Sequence, residues 1–213
     1  MRHVTGTERA DSAMIAQVGK QAPTFTARAF HKGEFRDIRL SDYVGKWVVL
    51  FFYPGDFTFV CPCELASIAH QYSAFQALGA EVLAISIDTV YSHQAWHESE
   101  LSLMVESAEG IPYPMLSDPC GDIGRMYNVF DEDERVNLRG TFLIDPHGVV
   151  QAMQVLGSDV GRSTDELLRE IKAFQESAQT GEVMPPDWEP GKKTLKPGAD
   201  LVGKVHDVWK VGE

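Results

Sequence analysis

No stretch of the chain is long and apolar enough to cross a bilayer as a helix. The longest unbroken apolar run, Trp47 to Tyr53, is seven residues, against the roughly 20 that a span requires. A basic block is missing too. Nineteen Lys and Arg stand against thirty-one Asp and Glu, a formal charge of −12, so nothing is arranged to neutralise a phosphate backbone, and neither nucleic acid nor membrane is an expected partner. Cysteine is scarce: Cys61, Cys63 and Cys120 are the three. That is too few for the disulfide framework of a small secreted domain, and the odd number leaves at least one thiol free or paired between chains. Reduced thiols suit a cytoplasmic setting. Met1 to Gln17 carries scattered charges and no apolar stretch of signal-peptide length, and is read as an N-terminal arm. Repeats and low-complexity tracts are lacking, and a composition of 44% hydrophobic and 23% charged residues excludes disorder and collagen-like fibre.

What is present reads as alternating strands and helices. Trp47 to Tyr53 is too short for a helix and rich in β-branched and aromatic residues, which predicts a strand buried on both faces, ended by Pro54 and Gly55. From Cys61 the apolar positions Leu65, Ile68, Tyr72, Phe75 and Leu78 recur at steps of three and four, one stripe of a helix that Gly79 stops. Glu81 to Ile87 reads as a second buried strand, Thr89 to Val105 as a helix, Met115 to Ser117 as a short strand, Gly121 to Val129 as a weak helix and Asp131 to Arg135 as a solvated acidic loop. Gly140 to Ile144 and Val149 to Leu156 flank Asp145-Pro146-His147-Gly148, a turn that makes them an antiparallel hairpin. Ser163 and Glu166 have capping-box spacing ahead of a core helix carrying Leu167, Ile171, Phe174 and Ala178. The last 33 residues hold four of the eleven prolines and five of the eighteen glycines, composition for an extended arm with a short helix near Gly203 to Lys210. The expected architecture is α/β, a thioredoxin-like mixed β-sheet with helices on both faces plus an extended C-terminal arm. Its division is residues 1–17 arm, 18–180 main domain and 181–213 C-terminal arm.

Chemistry concentrates at Cys61. A thiol placed where a buried strand has ended and a helix begins, with Pro62 beside it, faces free backbone N–H groups and the positive end of the helix dipole, which favours the thiolate. Thiolates of this kind attack peroxides and disulfides. Thr58, three residues earlier, offers a hydroxyl that can donate to the sulfur or accept from a bound hydroperoxide. Pro54 contributes an apolar ring with no donor, suited to shielding the sulfur from water.

The segment Phe51-Phe52-Tyr53-Pro54-Gly55-Asp56-Phe57-Thr58-Phe59-Val60-Cys61-Pro62 strongly resembles the active-site segment of the typical 2-Cys peroxiredoxins, the group that includes the peroxidase subunit of alkyl hydroperoxide reductase. Its P-x-x-x-T-x-x-C pattern is intact. The resemblance runs from about Val18 to Lys210 through Leu40-Ser41-Asp42-Tyr43, Ser86-Ile87-Asp88, Leu116-Ser117-Asp118-Pro119, Arg139-Gly140-Thr141-Phe142, Val160-Gly161-Arg162-Ser163 and Gly181-Glu182-Val183. It implies that Cys61 is the peroxidatic cysteine, that Arg139 orients peroxide and stabilises the thiolate, and that Glu64 and Arg162 are a supporting carboxylate and second arginine. It also implies a homodimer assembling into a decamer, and chemistry that needs no metal, haem or flavin.

One departure from the family pattern matters. Where the tail of the family reads Gly-Glu-Val-Cys-Pro, this chain has Gly181-Glu182-Val183-Met184-Pro185, and a thioether cannot form the resolving disulfide. Cys63 and Cys120 are the internal alternatives, and an external thiol (thioredoxin-like, glutaredoxin-like or small) is the other. On an intact helix two residues turn about 200°, so Cys63 points away from Cys61 and bonding would require the first turn to unwind. Cys120 follows a strand expected one further across the sheet. His93 and His97 have the i, i+4 spacing of metal ligands but no third ligand, and read better as a packed pair. Cys61-x-Cys63 alone is a weak metal motif, and Gly121 and Gly124 lack a phosphate-loop pattern. The expected function is therefore a thiol peroxidase acting on hydrogen peroxide and small organic hydroperoxides. The rival readings are a thiol–disulfide oxidoreductase using Cys61 and Cys63, and a holdase chaperone or redox sensor.

Overall fold

The computed structural model describes residues 15–105 and 110–211. Most of the expected N-terminal arm, Met1 to residue 14, lies outside them. Ala16 at its end is buried, with its N–H donating to the Met126 carbonyl at 2.8 Å.

The chain opens with a hairpin that the sequence patterning did not anticipate, β1 (Thr26–His31) and β2 (Glu34–Arg39), joined at Lys32 and Gly33 with φ of +52° and +78°. Two successive residues in the left-handed region give the turn whose twist matches antiparallel strands. Next come β3 (Trp47–Phe52), α1 (Cys61–His70), α2 (Tyr72–Ala77) and β4 (Ala80–Ser86). The single helix expected from Cys61 to Leu78 is two, because Gln71 leaves helical geometry at φ −102°, ψ 11°. Helix α3 (Val90–Trp96) continues through a π-turn at His97–Leu101 into α4 (Ser102–Met104). Strand β5 (Met115–Ser117) leads to α5 (Asp122–Met126), shorter than expected, with Gly121 before it at φ +71°. The acidic stretch 131–135 is the tip of a small hairpin rather than a free loop, between β6 (Phe130–Asp131) and β7 (Val136–Asn137). Strands β8 (Arg139–Ile144) and β9 (Val150–Leu156) form the expected hairpin, and α6 (Thr164–Thr180) follows with the Ser163 side chain accepting from the Glu166 N–H. In the arm, Val183 bridges Leu195, and the expected terminal helix is one 3-10 turn, Val205–Asp207.

The seven-stranded sheet has the order β2-β1-β5-β4-β3-β8-β9. Strand β3 is buried along its whole length, and its residues alternate between two cores. Val49 and Phe51 pack with Leu65, Ile68, Phe75 and Ile171 from α1, α2 and α6, whereas Val48, Leu50 and Phe52 pack with Ile123 and Tyr127 on the α5 side. A strand with both faces covered must be apolar throughout, which is why WVVLFF occupies the centre.

Topology also decides where chemistry can gather. Strands β3, β4 and β5 are mutually parallel, so the loops leaving their C-terminal ends share one edge of the sheet. Strand β8 runs antiparallel to β3, and its first residue, Arg139, therefore lies at that same edge. Among the described residues no helix is long and apolar enough to cross a membrane.

Candidate active site

Cys61 is the first residue of α1, after Val60 at the cap position, with Pro62 following in the first turn. Its side chain is fully buried, in the core formed with Tyr53, Leu65 and Trp96. Arg139 reaches in from β8, and its Nη1 donates to the Cys61 sulfur at 3.4 Å and to Glu64 Oε2 at 2.6 Å. Its Nε and Nη2 both donate to the Ser158 carbonyl, at 3.0 and 2.7 Å. The guanidinium is thus fixed on two sides and presents one edge to the sulfur.

Glu64 is one helical turn beyond Cys61, so its carboxylate falls between two arginines. Arg162, from the loop before α6, donates to Glu64 through its backbone N–H (2.8 Å), Nε (2.9 Å) and Nη2 (3.0 Å). Its Nη1 donates to the carbonyls of Phe52 and Gly140, each at 2.9 Å, and its guanidinium lies 3.3 Å from the Phe51 ring centroid. Burial pulls the Arg162 pKa below the usual guanidinium value, against the opposing pull of the Glu64 hydrogen bonds. Charge counting gives the consequence. Two buried guanidiniums and one buried carboxylate leave one positive charge in excess beside the Cys61 sulfur, an imbalance that, among the described residues, no other charged side chain bonded to the group offsets. Each of these side chains is nine-tenths buried or more, so that imbalance operates where water screens little.

Pro54 and Thr58 border the same loop, both half-buried. The Thr58 hydroxyl donates to the Gly55 carbonyl at 3.0 Å. Its lone pairs are left to accept from a ligand, while no Thr58 hydrogen bond to the sulfur occurs among the described residues. Cys63 lies on the outer side of α1, exposed, its thiol directed to the Phe59 carbonyl at 3.7 Å. One thiol points in and its neighbour out, as the helical turn requires. Cys120 is exposed past the end of β5, and β4 separates β5 from β3 in the sheet. Met184 is half-buried in the cleft between α6 and the arm, beside Phe174 and Arg169.

His93 and His97 do not converge. His93 is fully buried, with Nδ1 2.8 Å from Asp56 Oδ2 and Nε2 3.1 Å from the Leu116 carbonyl. The His97 Nε2 accepts the Ile111 N–H at 3.1 Å, and its ring packs on Phe30. Sequence reasoning missed the Ser158 carbonyl, the Phe51 ring and the Asp56 contact; the first is a backbone group that no side-chain motif can signal.

Residues 18–153 match the model of the AhpC/TSA family, and residues 173–210 match the model for the C-terminal domain of 1-Cys peroxiredoxin. The chain is 53% identical over 201 residues, 93% of its length and 98% of the relative's, to the selenocysteine-containing peroxiredoxin PrxU of Peptoclostridium acidaminophilum. To the alkyl hydroperoxide reductase C of Escherichia coli (strain K12) it is 46% identical over 192 residues, covering 90% of this chain and 100% of that one. Among solved structures it is similar to the reduced 2-Cys peroxiredoxin of Plasmodium vivax, with TM-score 0.81 and 38% identity over 87% of this chain and 98% of the other.

Proposed function

The chain belongs to the AhpC/TSA family, and on that premise we propose that Cys61 is the sulfur with which it reduces peroxides. The protein is a thiol-dependent peroxidase for hydrogen peroxide and small organic hydroperoxides. In the first step the Cys61 thiolate attacks one peroxide oxygen. The S–O bond forms as the O–O bond breaks, the sulfur is oxidised by two electrons to a sulfenic acid, and the departing oxygen takes up a proton as alcohol or water. Arg139 stabilises the thiolate and holds the peroxide, Thr58 accepts the peroxide's hydrogen bond, and Pro54 keeps water from the sulfur. Glu64 and Arg162 act one layer out. Their four hydrogen bonds, one of them from Arg139, fix the guanidinium that touches the sulfur.

The observation that carries this assignment is the 3.4 Å contact between Arg139 Nη1 and a fully buried Cys61 sulfur inside a group of charges with one positive charge in excess. Resolution goes to an external thiol, thioredoxin-like, glutaredoxin-like or small. The first thiol displaces water from the sulfenic acid to make a mixed disulfide, and a second attacks the reductant's sulfur in it, forming a disulfide between the two reductant thiols and releasing Cys61 as its thiolate. Support for an external partner is the thioether at position 184, the outward direction of Cys63 and the strand between Cys120 and the site. The chain also assembles as a homodimer and then a decamer; the free edge of β9, with Met153 40% and Val155 38% exposed, and the exposed Phe57 and Val44 are surfaces for it. Peroxide consumption with dithiothreitol tests the Cys61 assignment. The Cys61→Ser variant should be inactive, and a rate near wild type would overturn the reading.

A further inference from the structure

The helix that follows β4 is irregular where it passes the site. Helix α3 ends at Trp96, and the chain widens into the π-turn over His97–Leu101 before α4 resumes. The sequence HESELS supplies a cause. The Ser99 hydroxyl donates to the Ala95 carbonyl at 2.7 Å and the Ser102 hydroxyl to the Glu98 carbonyl at 3.4 Å, and hydroxyls bonded four residues back compete with the N–H ladder and bend it. Wide turns of this kind occur most often beside functional sites. This one starts directly after Trp96 and takes in Glu100.

Those two side chains are bonded to each other. The Trp96 indole N–H donates to Glu100 Oε2 at 2.5 Å. Trp96 is fully buried in the core that also holds Cys61, and an indole nitrogen can only donate. Glu100, half-buried, is its one acceptor among the described residues. A buried indole N–H with no acceptor is costly, so the carboxylate fixes how the ring is turned. The ring in turn packs on Tyr53 and on Phe57, with centroids 6.1 Å apart in each case.

Phe57 is the unusual residue of the loop between β3 and α1. Its φ is +54° and it is 58% exposed. A non-glycine residue stays in the left-handed region only when its surroundings over-determine it, and Trp96 is the ring that Phe57 rests on among the described residues. Thr58 follows directly. Its hydroxyl donates to the Gly55 carbonyl at 3.0 Å, which closes a turn around Phe57, so a shift of the Phe57 ring carries over to the hydroxyl that meets the peroxide.

We propose that Glu100 is a positioning residue for the peroxide-reacting loop: through the indole N–H it sets the orientation of Trp96, which seats Phe57 and with it Thr58. The inference rests on the preceding reading that this loop serves Cys61, and one of its two readouts is independent of peroxide.

The first readout is single-turnover oxidation by hydrogen peroxide. The second is hydrogen exchange of the backbone amides from 57 to 60, which reports the loop whichever sulfur reacts. Glu100→Leu removes the acceptor, and the oxidation rate should fall about tenfold, a part of the roughly 100-fold that a misplacement of about 1 Å can cost. Loop protection should fall with it while the amides of β4 keep theirs. Glu100→Gln retains a carbonyl oxygen at the same reach and should restore both readouts to within about twofold of wild type. In a Trp96→Phe background, which has a ring and no N–H, Glu100→Leu should have no further effect, as expected of two residues that act through one contact. An equal loss in both backgrounds, a Glu100→Gln variant as impaired as Glu100→Leu, or an unchanged loop in Glu100→Leu would overturn the proposal. Loop protection lost with the oxidation rate unchanged would uphold the contact and overturn the reading that this loop serves Cys61. Should Trp96→Phe fail to fold, the two Glu100 variants decide it alone.

Discussion

Replacing Arg139 by Met separates what this guanidinium does for reactivity from what it does for the fold. The substitution removes the donor 3.4 Å from the Cys61 sulfur and one of the four hydrogen bonds to Glu64. It also frees the Ser158 carbonyl, which sits at an exposed residue and can bond to water instead. Glu64 keeps its three bonds from Arg162, so no buried charge is stranded, and the stability cost should be about 1 to 3 kcal/mol. The cost to the peroxide step should be larger. Loss of one preorganised donor aimed at developing negative charge is worth about 2.7 to 4 kcal/mol, a rate decrease of about 100- to 1000-fold. Glu64→Gln should behave in the opposite way. It leaves two buried guanidiniums facing an amide with one acceptor, a loss of about 3 to 5 kcal/mol, which in a chain of this size lowers the melting temperature by about 6 to 20 °C. Single-turnover oxidation by stopped flow, paired with thermal melts of both variants, reads the two effects. An Arg139→Met rate within tenfold of wild type, or a Glu64→Gln melting temperature within a degree or two of wild type, would refute the reasoning.

The double variant Cys63→Ser/Cys120→Ser should sustain many turnovers with dithiothreitol; arrest after one turnover, with wild type continuing, would show an internal resolving thiol. Burial raises the pKa of Tyr43 to about 12 and pushes those of Tyr53, Tyr72, Tyr113 and Tyr127 upward as well. A phenol that keeps its proton when folded but loses it near pH 10 when unfolded contributes stability that is complete below pH 10 and lost as pH rises toward the folded value. Denaturant midpoints should therefore fall steadily from pH 10 to about pH 12, and a flat profile would contradict the burial of these hydroxyls. Light scattering of reduced and oxidised protein at micromolar concentration should give a decamer or a dimer, and a monomer in both states would remove the assembly reading.

Much of the fold could be read in the pattern of apolar residues, because β3, β4, α1 and α6 are buried enough for periodicity to report their surroundings. The β1–β2 hairpin could not. In β2 the sequence EFRDIR buries Ile38 and leaves most of its neighbours in solvent, and Lys32-Gly33 adopts its turn without the usual Asn or Asp. The break at Gln71 was hidden because the apolar stripe runs on unbroken across it. For the site, Cys61 announced itself by local position, but Arg139 is 78 residues away and only strand order brings it to the same sheet edge. Motif similarity identified it where local physics had no means to. The His93 environment illustrates the reverse case. Its i, i+4 spacing from His97 says nothing of its partners, Asp56 and the Leu116 carbonyl, which lie on other elements and leave no trace at helical spacing.

The central claim is that Cys61 takes the peroxide oxygen and then waits for a thiol from outside the chain. Intact and peptide mass spectrometry of fully reduced protein, given one equivalent of hydrogen peroxide without reductant and trapped with dimedone, addresses it directly. The account predicts one sulfenic acid adduct per chain, located at Cys61, with no change in subunit mass on non-reducing electrophoresis. Loss of two hydrogens without adduct would place the resolving thiol inside the chain, a doubled subunit mass would place it in a neighbouring copy, and an adduct at Cys63 or Cys120 with none at Cys61 would contradict the assignment itself.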